Sequence, residues 1–266
     1  MTTLTLREGV PGRVDLAGIL PDTLAGLAPA AISTLSLEHD GRRVALGELF
    51  EVEGGDPDTL LIQCDRACLD NLGAGLGRGR LIVEGPAGDG AGRAMSGGQL
   101  LLGGDAGDFL ASAMRGGTIH VAGNVGDWLG AAPIGERTGM AGGVVAVAGS
   151  VGARAGDRMR RGLILIRGQA GEYCGSRLLA GTLVVAGGCG ALAGFGLRRG
   201  TLVLGRPPRH LPATFNDAGP VELTYLGLLG RHAEGILPGV LPAGTRVRRY
   251  VGDLAFGGKG EVLAPA

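Results

Sequence analysis

The sequence predicts an all-β chain: a single-stranded right-handed β-helix of about seven 19-residue coils, with a small β-rich N-terminal cap and a C-terminal tail carrying a short helix. Three observations carry this. Leu76, Met95, Met114, Met140, Met159, Leu178 and Leu197 each stand three residues before a glycine, and their spacing is nineteen except for one interval of twenty-six. Fixed-period self-similarity of this length means stacked units. After each of those glycines come two apolar residues at alternate positions, from Leu81 and Val83 through Ile164 and Ile166 to Leu202 and Leu204. Period two places both members of a pair on one face of a strand. Further glycines recur six and nine residues on, as in Gly85 and Gly88, with a small residue at thirteen, as in Gly92 or Ala111. Glycine this dense opposes helix propagation and suits tight corners. Coils stacked about 4.8 Å apart give a rod on the order of 30 Å long.

The elements follow in order. Residues 1–58 lack the repeat and read as a separate β cap with short strands at Thr3–Arg7, Thr34–Glu38 and Arg43–Leu46. Residues 59–206 form the repeat domain. Stepping back nineteen from Gly79 reaches Leu60, which puts Ile62 and Cys64 on the inward ladder and Gly73 at the fourth corner of a degenerate first coil. Terminal repeats are atypical because they cap the stack. The long interval carries a seven-residue insertion within Ala131–Gly139, which leaves the stack intact and projects a loop. Residues 207–266 form a tail without the repeat. There Glu222–His232 reads as an amphipathic helix with Leu223, Leu226 and Leu229 on one side.

Composition excludes several functions. Net charge is zero, so electrostatic steering to nucleic acid is not expected. No apolar run is long enough to span a membrane, and the N-terminus lacks a basic start and apolar core. With four irregularly spaced cysteines, this reads as a reduced, cytoplasmic protein. Of the twenty-five basic residues only Lys259 is a lysine. No catalytic, cofactor-binding or metal-ligating constellation can be assigned. Cys64 and Cys68 have a weak ligand spacing and read as core, and Cys174 and Cys189 read as packing. The glycines of Gly73–Gly79 precede a strand, not the helix that a dinucleotide loop requires.

Three surface columns remain. The middle residues of the strands, Ile82, Leu101, His120, Ala146, Leu165, Val184 and Val203, point outward yet are apolar except for His120. Such a stripe is covered by the chain's own terminal segment or by a partner. Ile82, Leu101, His120, Leu165, Val184 and Val203 are therefore the candidate partner interface, with His120 a hydrogen-bonding member of it. The corners before the strands carry Arg78, Arg115, Arg160, Arg161, Arg198 and Arg199, with Arg158 and Arg177 nearby. They form either a solvated edge or a contact for an anionic chain, since the planar guanidinium fork binds carboxylates. Asp89, Asp108, Asp127 and Glu172 make an acidic column on another corner. Phe109, Trp128 and Tyr173 share a third.

The repeated M-x-G-G-x-Φ-x-Φ-x-G-x-x-G unit resembles the glycine-rich β-helix of two families. One is the C-terminal domain of the glutamate synthase large subunit. The other is the C subunit of formylmethanofuran dehydrogenase, with its bacterial counterpart in the formyltransferase/hydrolase complex. Gly123–Gly130 (GNVGDWLG), the loop ending Gly-Glu-Arg-Thr-Gly-Met140, and the tail Tyr250–Val262 are similar to the second. The resemblance covers roughly residues 58–262. It implies a non-catalytic scaffold with no cofactor of its own. The implied partners are an amidohydrolase-like subunit holding metal ions, a subunit related to molybdopterin oxidoreductases, and a formyltransferase. The implied complex moves a formyl group from tetrahydromethanopterin to a methanofuran-type carrier and hydrolyses it to formate. The tungsten or molybdenum dehydrogenase version and a glutamate synthase-like amidotransferase module are the alternatives. A free β-helix enzyme or sugar binder would call for close carboxylate pairs in a groove.

Overall fold

The computed structural model describes residues 1–55, 58–241 and 244–266. It is mostly sheet with few helices, and its main element is one thirteen-stranded, mostly parallel sheet. Parallel strands follow one another from Thr59–Gln63 and Arg80–Glu84 through Ser96–Leu102, Gly116–Val121 and Ala141–Val147 to Arg161–Ile166, Thr182–Val185 and Thr201–Leu204. Each repeat residue pairs with its equivalent in the next unit: Leu81 with Leu100, Ile164 with Leu183, and, across the insertion, Ile119 with Val145. The repeat length is thus the path the chain takes to return to its own sheet. A second line of parallel bridges, Ala87–Ala106–Val125–Val151–Ala170–Cys189, marks another side of the stack.

The alternation of the repeat sets the core. Leu81, Leu100, Ile119, Val145, Ile164, Leu183 and Leu202 are fully buried in one continuous cluster with Met95, Met114, Met140 and Met159. Burying each such side chain contributes about 1.5–3 kcal/mol. The glycines after the methionines are required by space as well as by conformation. At Gly143, φ is +89°, and a Cβ would lie 2.6 Å from Met114 Cε and 2.8 Å from the Gly117 carbonyl oxygen below it. The core methionine and the preceding coil leave no room for a side chain.

Away from the strands, side chains take over the coil-to-coil bonding. Asp70, Asp89, Asp108 and Asp127 each accept the backbone N–H of the equivalent residue one unit on, at 2.7–2.9 Å. Asp105, Asn124 and Ser150 do the same at a neighbouring corner. The aspartates of the acidic column, Asp89, Asp108 and Asp127, therefore form a structural ladder that satisfies corner amides which no strand can reach.

Both ends extend the sheet. Thr2–Leu6 lies parallel to Thr59–Gln63, with Leu4 opposite Ile62, and Phe50–Gly54 closes that edge antiparallel. A small second sheet joins Arg42–Ala45, Ser36–His39, Val14–Asp15 and Leu69–Asp70. The expected N-terminal strands lie within two residues of those observed.

Three expectations change. The first unit pairs Leu60 with Leu81 and Ile62 with Val83, so Leu60 and Ile62 hold the inward ladder rather than Ile62 and Cys64. The reason is a corner two residues longer: Ile62 precedes Asp70 by eight positions, whereas Val83 precedes the equivalent Asp89 by six. In the tail, Gly260–Pro265 adds another parallel strand, with Val262 opposite Leu202. The antiparallel strands Arg246–Gly252 and Asn216–Glu222 then cover this edge. Because Glu222 ends a strand, the tail helix runs Tyr225–Glu234 rather than from Glu222.

Ile164→Ala opens a cavity between stacked coils and should lower unfolding stability by about 2–5 kcal/mol in denaturant titration. A loss of about 1 kcal/mol or less would place Ile164 outside the core.

Candidate functional site

The outward stripe divides into two halves. Ala146, Leu165, Val184 and Val203 are buried beneath the chain's own tail, where Leu226 and Ala233 of the helix, Leu237, Val240 and Val247 pack on them. Arg167 fastens this cover by donating to the Pro238 carbonyl oxygen at 3.0 Å. Leu165, Val184 and Val203 are therefore not available to a partner. The helix is amphipathic and the added strand supplies Leu263 to the same cluster, so the tail completes a second small core. The cover stops before the N-terminal half. Ile82, Leu101 and His120 stay half-buried and line an open groove of about 340 Å³ that Ala146 and Leu237 bound at one end. His120 makes no side-chain hydrogen bond among the described residues.

The arginine edge also divides. Arg78, Arg115, Arg160, Arg161, Arg198 and Arg199 are exposed and have no carboxylate partner among the described residues. Their backbone bonding shows that Arg115, Ala141, Arg160, Leu179 and Arg198 occupy successive coils of one column. The guanidiniums therefore recur on alternate coils, about 10 Å apart. Two arginines expected nearby are committed elsewhere. Arg177 forks onto the buried Asp157 at 2.8 and 2.7 Å, and Ser176 donates to the same carboxylate. Arg158 donates to the Glu136 carbonyl oxygen of the inserted loop at 2.8 Å.

The third surface is the aromatic corner. Phe109, Trp128, Arg154 and Tyr173 stand in successive coils, all with φ between +57° and +65°. Bulky residues in this region cost on the order of 1–3 kcal/mol each and need compensation. It comes from stacking. The Phe109 and Trp128 rings lie 5.8 Å apart and 6° from parallel. The Arg154 guanidinium sits between Trp128, at 4.9 Å, and Tyr173, at 4.6 Å. Such contacts are worth about 0.5–1.5 kcal/mol per aromatic pair and about 0.5–2 per cation–π contact. The repeat shows the three aromatics in one column. Arg154 was legible too, twenty-six residues after Trp128 and nineteen before Tyr173, but a cation breaks an aromatic pattern.

The thiols are those of buried groups. Cys64 and Cys68 Sγ atoms lie 3.8 Å apart, and Cys64 Sγ donates to the Arg66 carbonyl oxygen. Burial raises Cys64 and Cys189 to about 11, and pushes Cys174 well above the usual thiol value. Among the described residues no group of three or more His, Cys, Asp or Glu side chains could hold a metal ion. No helix among them is long and apolar enough to cross a membrane.

Fold and surfaces define a class: a glycine-cornered, β-helix-like all-β protein. No family model matches the chain. The C subunit of the formyltransferase/hydrolase complex Fhc of Methylorubrum extorquens is 41% identical over 88 residues. That match spans 33% of this chain and 33% of that relative. The similarity in structure is complete. A chain in the crystal structure of the formyltransferase/hydrolase complex FhcABCD from Methylorubrum extorquens, in complex with methylofuran, superposes with a TM-score of 0.91. It is 38% identical, and 99% of each chain is covered. This chain belongs to the family of the C subunit of the formyltransferase/hydrolase complex.

Because the tail seals Leu165, Leu165→Glu should destabilise the isolated chain itself, lowering its thermal midpoint by several degrees or preventing folding. An unchanged midpoint would mean that the stripe is open at Leu165.

Proposed function

We propose that this chain is a non-catalytic scaffold subunit of a formyltransferase/hydrolase complex in the cytoplasm. The complex would move a formyl group from tetrahydromethanopterin to a methanofuran-type carrier and hydrolyse it to formate. The observation that carries this reading is the match along 99% of both chains, at 38% identity, to a chain of a complex bearing that name. The scaffold's partners would be an amidohydrolase-like subunit that holds the metal ions, a molybdopterin-oxidoreductase-like subunit and a formyltransferase.

The division of labour follows from the surfaces. Residues 59–206 serve as a right-handed rod of about seven full coils preceded by a degenerate one, residues 1–58 cap one end, and residues 207–266 cap the other while sealing half of the stripe. The open half, Ile82, Leu101 and His120, is the contact for a partner subunit. Its apolar surface and the hydrogen-bonding capacity of His120 fit a protein interface better than water. The arginine edge, Arg115, Arg160, Arg161, Arg198 and Arg199, contacts an anionic chain, because forked guanidiniums at regular intervals suit carboxylates spaced along an extended ligand.

Leu101→Glu tests the interface. The isolated variant should fold as the wild type does but fail to co-purify with its partners, since an unpaired buried carboxylate costs several kcal/mol. Full assembly of the variant would refute the assignment. For the edge, Arg160→Glu with Arg161→Glu should weaken carrier affinity of the assembled complex, most at low salt. Identical kinetics at low and high salt would leave those arginines as solvated surface.

A further inference from the structure

The side-chain ladders end before the rod does. In one column Asp70, Asp89, Asp108 and Asp127 each hold the corner amide of the next coil, and in the other Asp105, Asn124 and Ser150 do so. Both columns then run out of acceptors. Gln169 does not take up the amide of Gly188, nor does Glu172 take up that of Ala191. Neither N–H has a hydrogen-bond partner among the described residues. The amide of Cys189 is free as well, because Cys189 ends the column of parallel bridges.

The sequence accounts for this ending. The last turn of chain keeps the coil path as far as Gly205, whose N–H reaches the Val185 carbonyl oxygen at 2.8 Å. Pro207 and Pro208 then stand one repeat after Gly188 and Cys189. Proline has no N–H with which to bond the coil beneath. A cavity of about 500 Å³ lies at this corner, lined by Gly188, Cys189 and Ala191 and by Arg206, Arg209 and His210 of the departing segment. Arg206 stands beside the free amides, since a Cβ on Gly188 would lie 3.4 Å from the arginine's own Cβ. Arg206, Arg209 and His210 are exposed and have no carboxylate partner among the described residues. Glu172 is the one acidic side chain in the lining, against two guanidiniums.

We propose that this corner binds a carboxylate brought from outside the chain, at amides like those that earlier coils bond to an aspartate of their own. The ladders themselves name the ligand class. Their corner amides take a side-chain oxygen at 2.6–3.1 Å, and most of those oxygens are carboxylate. Gly188 is a buried residue, where an amide without an acceptor is costly. Hydrogen bonds from amides and guanidiniums to an ionised acceptor are about twice as strong as neutral ones. The site is separate from the arginine edge, with which it shares no residue.

The test titrates the free chain with glutarate, a dicarboxylate, at constant ionic strength and follows backbone amide protons by NMR. Gly188, Cys189 and Ala191 should shift saturably, while Asp108 and Asp127, whose amides are already capped, should not. Arg206→Ala with Arg209→Ala should weaken binding at least about tenfold, and Glu172→Gln should tighten it. The thermal midpoint should stay unchanged in all variants; if the double variant folds poorly, Arg209→Ala alone should still weaken binding. Adding the partner subunits separates two sources of the carboxylate. An acidic side chain of a partner would exclude glutarate from the complex and make assembly of the double variant at least about tenfold weaker. A free organic acid would leave assembly unchanged and glutarate binding intact in the complex. Absence of saturable shifts in the free chain, or shifts that the arginine variants leave unchanged, would overturn the proposal. Neither result bears on the scaffold reading, because both are obtained without the partners.

Discussion

Every feature of this protein depends on one constraint: equivalent residues must return to the same place one coil spacing apart. Parallel strand pairing enforces it on one side. Isolated bridges and the aspartate, asparagine and serine ladders enforce it at corners where strands are absent. Once that register holds, like side chains lie over like. Aliphatics then make a continuous core, rings and a guanidinium make a stack, and glycines admit the coil below. The same constraint explains why a seven-residue insertion is harmless at a corner. Inside a strand, a one-residue slip would turn every core residue outward.

The rod is not uniform along its length, and that asymmetry carries the functional reading. One apolar stripe runs over the whole sheet, but the tail reaches only its C-terminal half. Leu165 and Val203 are core residues of a second cluster, while Ile82 and Leu101, in the same ladder, border an open groove. The aromatic corner and the projecting loop lie on another side of the rod and likewise face outward. The open half of the stripe is the apolar surface on which the proposed partner contact rests.

Much of this was legible because a period repeats the same evidence many times. The inward residues from Leu81 to Leu204, the glycine columns and the loop at Ala131–Gly139 follow from nineteen-residue spacing alone. What the spacing missed lies where the period breaks. The longer corner between Ile62 and Asp70 shifts the first unit by two residues, which put Cys64 where Ile62 belongs. Val262 returns to the stack sixty residues after Leu202, beyond any repeat count, so the tail's final strand was invisible. The sequence showed that the outward stripe needed cover. It could not show that one ladder has two fates, because coverage of Leu165 depends on where Leu226 and Leu237 come to rest. Arg177 read as surface charge because its partner, Asp157, is buried only by the fold.

Hydroxyl-radical footprinting of the free chain and of the assembled complex tests the central claim most directly, because it reports side-chain exposure residue by residue. The account predicts that Ile82, Leu101 and His120 are labelled in the free chain and protected in the complex. It predicts that Leu165, Val184 and Val203 are unlabelled in both. Equal labelling of Ile82, Leu101 and His120 in both states, or strong labelling of Leu165 in the free chain, would contradict it.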